Sequence, residues 1–256
     1  MPYTDRMATT LIFDVDGVLV DSPHERAWGD TLRSLLEGGW SDLAGSGVWT
    51  PEAYTSALYQ AEVAGKPRMD GARSLLRAFG LPDDDEHARR LAARKQGMIE
   101  RLIDRGEFRA YEDAVGILLR AKASGMTVAA ASSSKNANAM MGRVKLAPFQ
   151  AAAGVRLETL SPDATLLDAL DANVSGRDIH PGKPHPMIFL TAAEEAGSAP
   201  ADCIVVEDAP SGVQAAKAGG MRAIGLARHN DEDSLRAAGA DWVVNSLDGI
   251  DPGDLR

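Results

Sequence analysis

Residues 9–17 read TTLIFDVDG, a short apolar run that ends on Asp14, Asp16 and a glycine. Runs of four to eight apolar and β-branched residues closed by turn residues are typical of buried strands. Comparable runs recur at four further places: MTVAAA (126–131), CIVV (203–206), RAIGLA (222–227) and DWVV (241–244). Segments with helical spacing lie between several of them, as at 114–124 and 211–218. This alternation predicts an α/β fold with a parallel sheet covered by helices on both faces.

One long segment interrupts the alternation. Residues 23–105 contain no convincing strand, while 87–104 places apolar residues at helical spacing. We therefore expect a helical insert after the first strand. The predicted division is an α/β core formed by residues 1–22 and 106–256, with an α-helical cap domain at 23–105.

Composition and charge exclude several classes of protein. The 256 residues carry 27 Lys and Arg against 37 Asp and Glu, a formal net charge of −10, which argues against a nucleic-acid or anionic-membrane surface. No apolar run approaches the roughly 20 residues of a membrane span, and the first residues lack the apolar stretch of a signal peptide. The single cysteine, Cys203, lies in the apolar run CIVV and cannot form an intramolecular disulfide. We expect a cytoplasmic protein.

Polar side chains follow the predicted strands at the points where they end. In doubly wound sheets, ligands bind beyond the carboxyl ends of the strands. Any one of these groups alone is explained as well by a turn or a helix cap. Together, at successive strand and helix edges, they predict a shared site on one edge of the sheet. The members are Asp14, Asp16, Ser132, Ser133, Ser134, Lys135, Asn136, Lys183 in a GKP segment, Glu207 and Asp208.

The chemistry of this set favours phosphoryl transfer. Several crowded carboxylates repel one another unless a hard cation lies among them, and Mg²⁺ takes carboxylate, carbonyl and water oxygens. A carboxylate can attack phosphorus and form an aspartyl-phosphate. The Ser132 hydroxyl, nearby backbone amides and the Lys183 ammonium could bind the oxygens of the transferring group.

The motifs DVDGVLVDS, the serine after the second long strand, the GKP lysine and VVEDAPSG resemble, in order, the four signatures of the haloacid dehalogenase-like superfamily. The resemblance covers essentially the whole chain and implies a Rossmann-like, doubly wound core. It implies that Asp14 is the nucleophile and Asp16 the general acid and base. It further implies that Ser132, Ser133 and Lys183 bind phosphate, and that Asp14, Asp16, Glu207 and Asp208 hold Mg²⁺.

Pieces of the insert resemble the β-phosphoglucomutase branch of that superfamily. The pieces are HERAW (24–28), GKPR (65–68) and RK (94–95), with SKN (134–136) in the core. The resemblance implies substrate contacts from His24, Trp28, Arg68, Lys95, Ser134, Lys135 and Asn136. Arg68 would grip the phosphate that is not transferred, although a surface arginine on a Gly-Pro loop would look the same. The chain departs from the branch at Gly71, at Met187 and in residues 148–164, an apparent insertion that could reshape the pocket, make a subunit contact or be inert.

We expect a Mg²⁺-dependent enzyme that interconverts β-glucose 1-phosphate and glucose 6-phosphate through a bisphosphate. One alternative is a phosphatase of a small sugar or polyol phosphate. Another is a catalytically silent binding protein on the same fold. The expected partner is a small phosphorylated sugar, with neither nucleic acid nor membrane bound, in a monomer or weak homodimer.

Overall fold

The computed structural model describes residues 9–39 and 49–255. The chain divides into two compact units, Met1–Asp21 with Arg109–Arg256, and Ser22–Phe108. The sequence places the two boundaries at 22/23 and 105/106.

The first unit is built on a six-stranded parallel sheet. The strands along the chain are β1 (Thr10–Phe13), β2 (Val20–Asp21), β3 (Arg109–Ala110), β4 (Thr127–Ala130), β5 (Ala172–Asn173), β6 (Cys203–Glu207), β7 (Arg222–Leu226) and β8 (Trp242–Val244). The sheet order is β5-β4-β1-β6-β7-β8, with every neighbouring pair parallel. The two-residue strands β2 and β3 form a separate antiparallel pair. The predicted parallel sheet is confirmed, and its strands are apolar because helices cover both faces.

Ten α-helices complete the described part of the chain. They are α1 (His24–Ser34), α2 (Ser56–Glu62), α3 (Arg68–Ala78), α4 (Asp85–Asp104), α5 (Glu112–Ala123), α6 (Ala137–Met141), α7 (Ala147–Ala153), α8 (Met187–Glu195), α9 (Pro210–Ala218) and α10 (Glu232–Ala237). Short 3₁₀ turns lie at Pro51–Ala53, Leu166–Ala169, Pro200–Asp202 and Pro252–Leu255, and a π-helical turn at Leu35–Gly39. Among the described residues, none of the helices combines the length and apolarity needed to cross a bilayer.

The pairing register of β1, β4 and β6 aligns the carboxyl ends of these three strands. Phe13 of β1 pairs with Ala130 of β4 on one side and with Val206 of β6 on the other. All four β1 residues and all five β6 residues are buried. The residues that follow these three central strands therefore emerge side by side at the same edge of the sheet.

The second unit has its own hydrophobic core. Its described residues form helices and turns only, as the sequence predicts for the insert. Trp28, Leu32, Leu75, Leu76 and Leu91 belong to one buried cluster contributed by α1, α3 and α4.

The acidic run at 83–86 starts α4. Asp84 is the N-cap, and its Oδ1 accepts from the backbone N–H groups of Glu86 (2.9 Å) and His87 (3.1 Å).

Residues 148–164 are more regular than the sequence indicates. Helix α7 occupies 147–153 and ends at Gly154, whose φ of +64° is left-handed. Residues 156–159 line a groove of about 580 Å³ beside Thr127, the first residue of β4. The groove therefore lies at the amino end of β4, whereas Ser132 follows the carboxyl end of that strand. This part of the segment does not reshape the predicted site.

Candidate active site

Asp14 lies directly after β1, where the central strands end. Its backbone N–H donates to the Val206 carbonyl of β6 at 3.0 Å, which extends the strand pairing by one residue. Its carboxylate is buried, and Oδ1 accepts from Nζ of Lys183 at 2.6 Å.

Lys183 joins two carboxylates that lie after or at the end of adjacent strands. Its ammonium donates to Asp14 Oδ1 and to Glu207 Oε1, each at 2.6 Å, and its side chain has no exposed surface. The nitrogen also lies 4.9 Å from the ring centroid of Phe189. Burial disfavours the ammonium, but the two carboxylates outweigh burial and hold the pKa of Lys183 above its ordinary value. Lys183 is therefore a fixed cation in the centre of the site.

Asp16 and Ser132 approach each other from β1 and β4. Ser132 Oγ donates to Asp16 Oδ2 at 3.0 Å, and the backbone N–H of Ser134 donates to Ser132 Oγ at 3.0 Å. The hydrogen bond fixes the Asp16 carboxyl beside Asp14, two residues earlier in the chain. One carboxyl is thus bound to a cation and the other to a neutral hydroxyl, which suits different roles in acid–base chemistry.

Two glycines make room for the remaining carboxylates. Gly17 has φ +85°, and a Cβ there would lie 2.0 Å from Oδ2 of Asp208. A Cβ on Gly212 would lie 1.7 Å from Oε1 of Glu207. The Asp208 and Glu207 carboxylates therefore occupy the space that a side chain at position 17 or 212 would need, so only glycine fits there. These glycines belong to the site, although only their place in the DVDG and PSG motifs could have indicated it.

The donor set fits a hard divalent cation. Burial, together with the nearby Glu207 and Asp16 carboxylates, raises the pKa of Asp14 to about 7 against the opposing effect of Lys183. Burial, then Glu207 and Asp14, raises the pKa of Asp208 well above the ordinary aspartate value. Four crowded carboxylates with one ammonium leave excess negative charge that a cation would neutralise.

No group of three His, Cys, Asp or Glu side chains within 9–39 and 49–255 forms a ready-made metal cage. Asp14 and Asp208 are the carboxylates that could hold Mg²⁺, which also takes carbonyl and water oxygens.

The loop after β4 holds the other predicted core residues. Ser133 and Ser134 are half-buried, and Asn136 is buried with its N–H donating to Ser134 Oγ at 3.2 Å. Lys135 is directed elsewhere, because its ammonium donates to the Gly176 carbonyl at 2.8 Å and pairs with Asp178. The sequence resemblance implies that Lys135 contacts substrate, which would require it to leave this pair.

The predicted substrate residues of the cap unit come from α1, α3 and α4 and contact α4 residues Lys95 and Gln96. Lys95 is buried, contacts Nδ1 of His24 and lies 5.2 Å from the ring centroid of Trp28. Arg68 is the first residue of α3, and its Nη1 donates to Gln96 Oε1 at 2.5 Å. Lys95 and the Gln96 that binds Arg68 are adjacent residues of α4, so the two basic side chains lie close together.

Comparisons with known proteins agree with this geometry. The sequence profile of the haloacid dehalogenase-like hydrolases matches residues 8–220. The chain is 33% identical to a β-phosphoglucomutase of Mycobacterium bovis over 92% of this chain and 88% of that protein. It is 26% identical to a phosphorylated carbohydrates phosphatase of Thermotoga maritima over 91% of this chain and 93% of that one. The crystal structure of a β-phosphoglucomutase from Pyrococcus superposes with a TM-score of 0.66 at 28% identity, covering 96% of both chains.

Enzymes of this family generally use Mg²⁺, in agreement with the donor set described above. The family match and these relatives support a phosphoryl-transfer enzyme, either a phosphotransferase or a phosphatase. The chain belongs to the haloacid dehalogenase-like hydrolase family, in its β-phosphoglucomutase-like branch.

Proposed function

We propose that the protein is a β-phosphoglucomutase, which converts β-glucose 1-phosphate to glucose 6-phosphate through an aspartyl-phosphate and a bound bisphosphate. The observation that carries the proposal is the convergence of Asp14, Asp16, Ser132 and Lys183 at one edge of the sheet. The Mycobacterium bovis relative supports the choice of substrate.

In the proposed reaction, Asp14 attacks phosphorus through the oxygen that Lys183 does not bind. The P–O bond to the leaving oxygen breaks, and Asp16 donates a proton to that oxygen. In the second half, Asp16 removes a proton from the incoming sugar hydroxyl, which attacks the aspartyl-phosphate and releases Asp14. Ser132, Ser133 and Lys183 bind the oxygens of the transferring group.

Mg²⁺, held by Asp14, the Asp16 carbonyl and Asp208 with Glu207 nearby, would supply charge neutralisation of the phosphoryl oxygens. The Lys183 ammonium opposes the rise that burial causes in the pKa of Asp14, and so favours the ionised form that a nucleophile requires.

We assign the cap residues to the phosphate that is not transferred and to the sugar. A mutase needs a second anion site, whereas a phosphatase does not. Arg68 offers a bidentate guanidinium and Lys95 a buried ammonium, with His24 and Trp28 beside it. Ser134, Lys135 and Asn136 are proposed as contacts of the sugar.

The test is a single reaction that distinguishes the three functions. The protein is incubated with Mg²⁺, β-glucose 1-phosphate and a trace of glucose 1,6-bisphosphate, and glucose 6-phosphate and free phosphate are measured together. Glucose 6-phosphate in large excess over phosphate is the expected result. Phosphate alone would favour the phosphatase, which the Thermotoga relative and the engaged Lys135 both support. Equal inactivity of the wild type and Asp14→Asn would indicate a silent binding protein.

The variant Arg68→Ala tests whether Arg68 binds the phosphate that is not transferred, without altering the residues that carry out phosphoryl transfer. It should reduce glucose 6-phosphate formation by about a hundredfold, because the proposed bidentate contact to the second phosphate is lost. Release of phosphate from p-nitrophenyl phosphate, which carries no second phosphate, should stay within about twofold of the wild type. An equal loss on both substrates would contradict the assignment of Arg68.

A further inference from the structure

Tyr111 contacts the turn that carries the two catalytic aspartates. Its backbone N–H donates to the Leu19 carbonyl at 3.0 Å, and its hydroxyl lies near the Asp21 carboxylate. The turn itself is closed by the Val15 carbonyl, which accepts from the N–H groups of Leu19 (3.0 Å) and Val20 (2.8 Å). Tyr111 therefore holds the far end of the turn through both its main chain and its side chain.

The ring of Tyr111 lies on a guanidinium that is itself immobilised. The Cζ atom of Arg228 is 3.9 Å from the ring centroid, and the Arg228 side chain is 13% exposed. Arg228 donates to both oxygens of Asp113, from Nη2 at 2.8 Å and from Nη1 at 3.0 Å.

Asp113 is fixed in turn by bonds from three further donors. It accepts from the N–H groups of Ala114 (2.8 Å) and Leu247 (3.0 Å) and from Ser246 Oγ (3.2 Å). A bidentate ion pair of this kind restrains a guanidinium plane in both position and angle.

This network lies beside the site and not in a remote part of the fold. Arg228 follows β7, the neighbour of β6, which ends at Glu207. Burial, then Asp21, raises the pKa of Tyr111 to about 12, with Asp208 adding to the effect and Arg228 opposing it. The phenol is thus near the Asp208 carboxylate and stays a protonated donor through the neutral range.

We propose that Tyr111, supported by Arg228 and Asp113, is a positioning residue for the turn that carries Asp14 and Asp16. The inference rests on the proposed phosphoryl transfer, because it concerns the alignment of those two carboxyl groups with the phosphorus and the leaving oxygen. A shift of the turn by a fraction of an ångström lowers the rate of the chemical step while leaving binding of the ester nearly unchanged.

The test compares Tyr111→Phe with Tyr54→Phe, using p-nitrophenyl phosphate and Mg²⁺. Tyr54 is half-buried, as Tyr111 is, and its hydroxyl donates to the Glu25 carbonyl at 2.8 Å in the other unit. Both variants delete one hydroxyl that lies near an oxygen acceptor and keep the ring. Tyr111→Phe should lower kcat about tenfold with KM changed less than about twofold, whereas Tyr54→Phe should leave both constants unchanged.

Arg228 supplies a second pair of variants. Arg228→Met, which removes the stacked guanidinium, should lower kcat about as much as Tyr111→Phe, while Arg228→Lys should recover part of the loss. A wild-type kcat in Tyr111→Phe, or equal losses in Tyr111→Phe and Tyr54→Phe, would overturn the positioning role.

Hydrogen exchange of the peptide covering residues 14–21 separates this inference from the proposed function. Faster exchange there in Tyr111→Phe than in the wild type is expected, because the hydroxyl no longer restrains Asp21. A wild type inactive on every phosphate ester would refute the proposed function. The exchange result would still decide the positioning role, and unchanged exchange of 14–21 would overturn it.

Discussion

At the scale of single residues, Gly17 controls where Asp208 can lie. An alanine at 17 would combine a left-handed φ of +85° with a Cβ 2.0 Å from Oδ2 of Asp208. Gly125 has nearly the same φ, +83°, with nothing within 4 Å of its Cβ position. The two positions therefore differ in the contact with the carboxylate and share the backbone strain.

We predict that Gly17→Ala and Gly125→Ala each lose about 1 kcal/mol of folding free energy, because both force a side chain into the left-handed region. Only Gly17→Ala should also lose phosphate release, by about a hundredfold, since Asp208 must move. Thermal unfolding and phosphate release measured on both variants check this. Equal activity in the two variants would show that Asp208 tolerates displacement.

The placement of a residue was predictable where it ends a strand or lies within two residues of a strand end. Asp14, Ser132 and Glu207 emerge together because β1, β4 and β6 share one register, and short apolar runs reveal where such strands end. The pairing of Arg228 with Asp113 was not predictable, since 115 residues separate them and neither lies in a motif. The engagement of Lys135 by Asp178 was not predictable either, since Asp178 lies 43 residues away and in no motif.

At the scale of elements, Asp113 ties α5 to the segments after β7 and β8. Burial disfavours its charge, but Arg228 and the Leu247 N–H outweigh burial and hold the pKa of Asp113 below its ordinary value of 3.8. A carboxyl with a lowered pKa in the folded state stabilises the fold fully above its unfolded pKa. That contribution is lost as the pH falls through the lower, folded value.

Asp113→Asn should therefore reduce the free energy of unfolding by roughly 3 kcal/mol at pH 7, because it leaves the Arg228 charge without its carboxylate. The difference from the wild type should stay constant down to about pH 5 and shrink below about pH 4. Urea unfolding of both proteins across this range provides the measurement. A gap that grows in acid would refute the assignment of the charge pair.

Helices and strands that bury apolar residues were easier to predict from the sequence than those that do not. The longer strands carry fully buried runs, so β1, β6 and β7 follow the predicted segments closely. Strand β5 is only Ala172–Asn173, flanked by polar residues that favour turns, and its place is set by pairing with β4. Helix α7 was hidden because none of its residues is buried, so it shows no apolar periodicity.

At the scale of the whole molecule, each unit has a separate buried cluster. Leu76 belongs to the cluster of 22–108, while Leu118 of α5 is fully buried in the other unit. Truncation of either leucine to alanine should cost about 3 kcal/mol of local stability. Cores that do not share residues should respond separately.

We expect Leu76→Ala to accelerate hydrogen exchange chiefly within 22–108, and Leu118→Ala chiefly within 109–255. Exchange measured by mass spectrometry on intact, folded protein tests both variants together. Acceleration spread evenly over the chain in both variants would mean that the two units unfold as one.

The antiparallel pair of β2 and β3 determines how the insert between them can be replaced. Val20 pairs with Ala110 and Asp21 with Arg109, so the chain leaves the core and returns to it on adjacent strands. Paired Cα atoms in antiparallel strands are only about 5 Å apart. A segment of any length can be spliced there without stretching the sheet, and a two-residue hairpin turn could close the same gap. The junction thus makes the insert an exchangeable module, because residues 22–108 can be replaced there without breaking the strands that carry the phosphoryl-transfer edge.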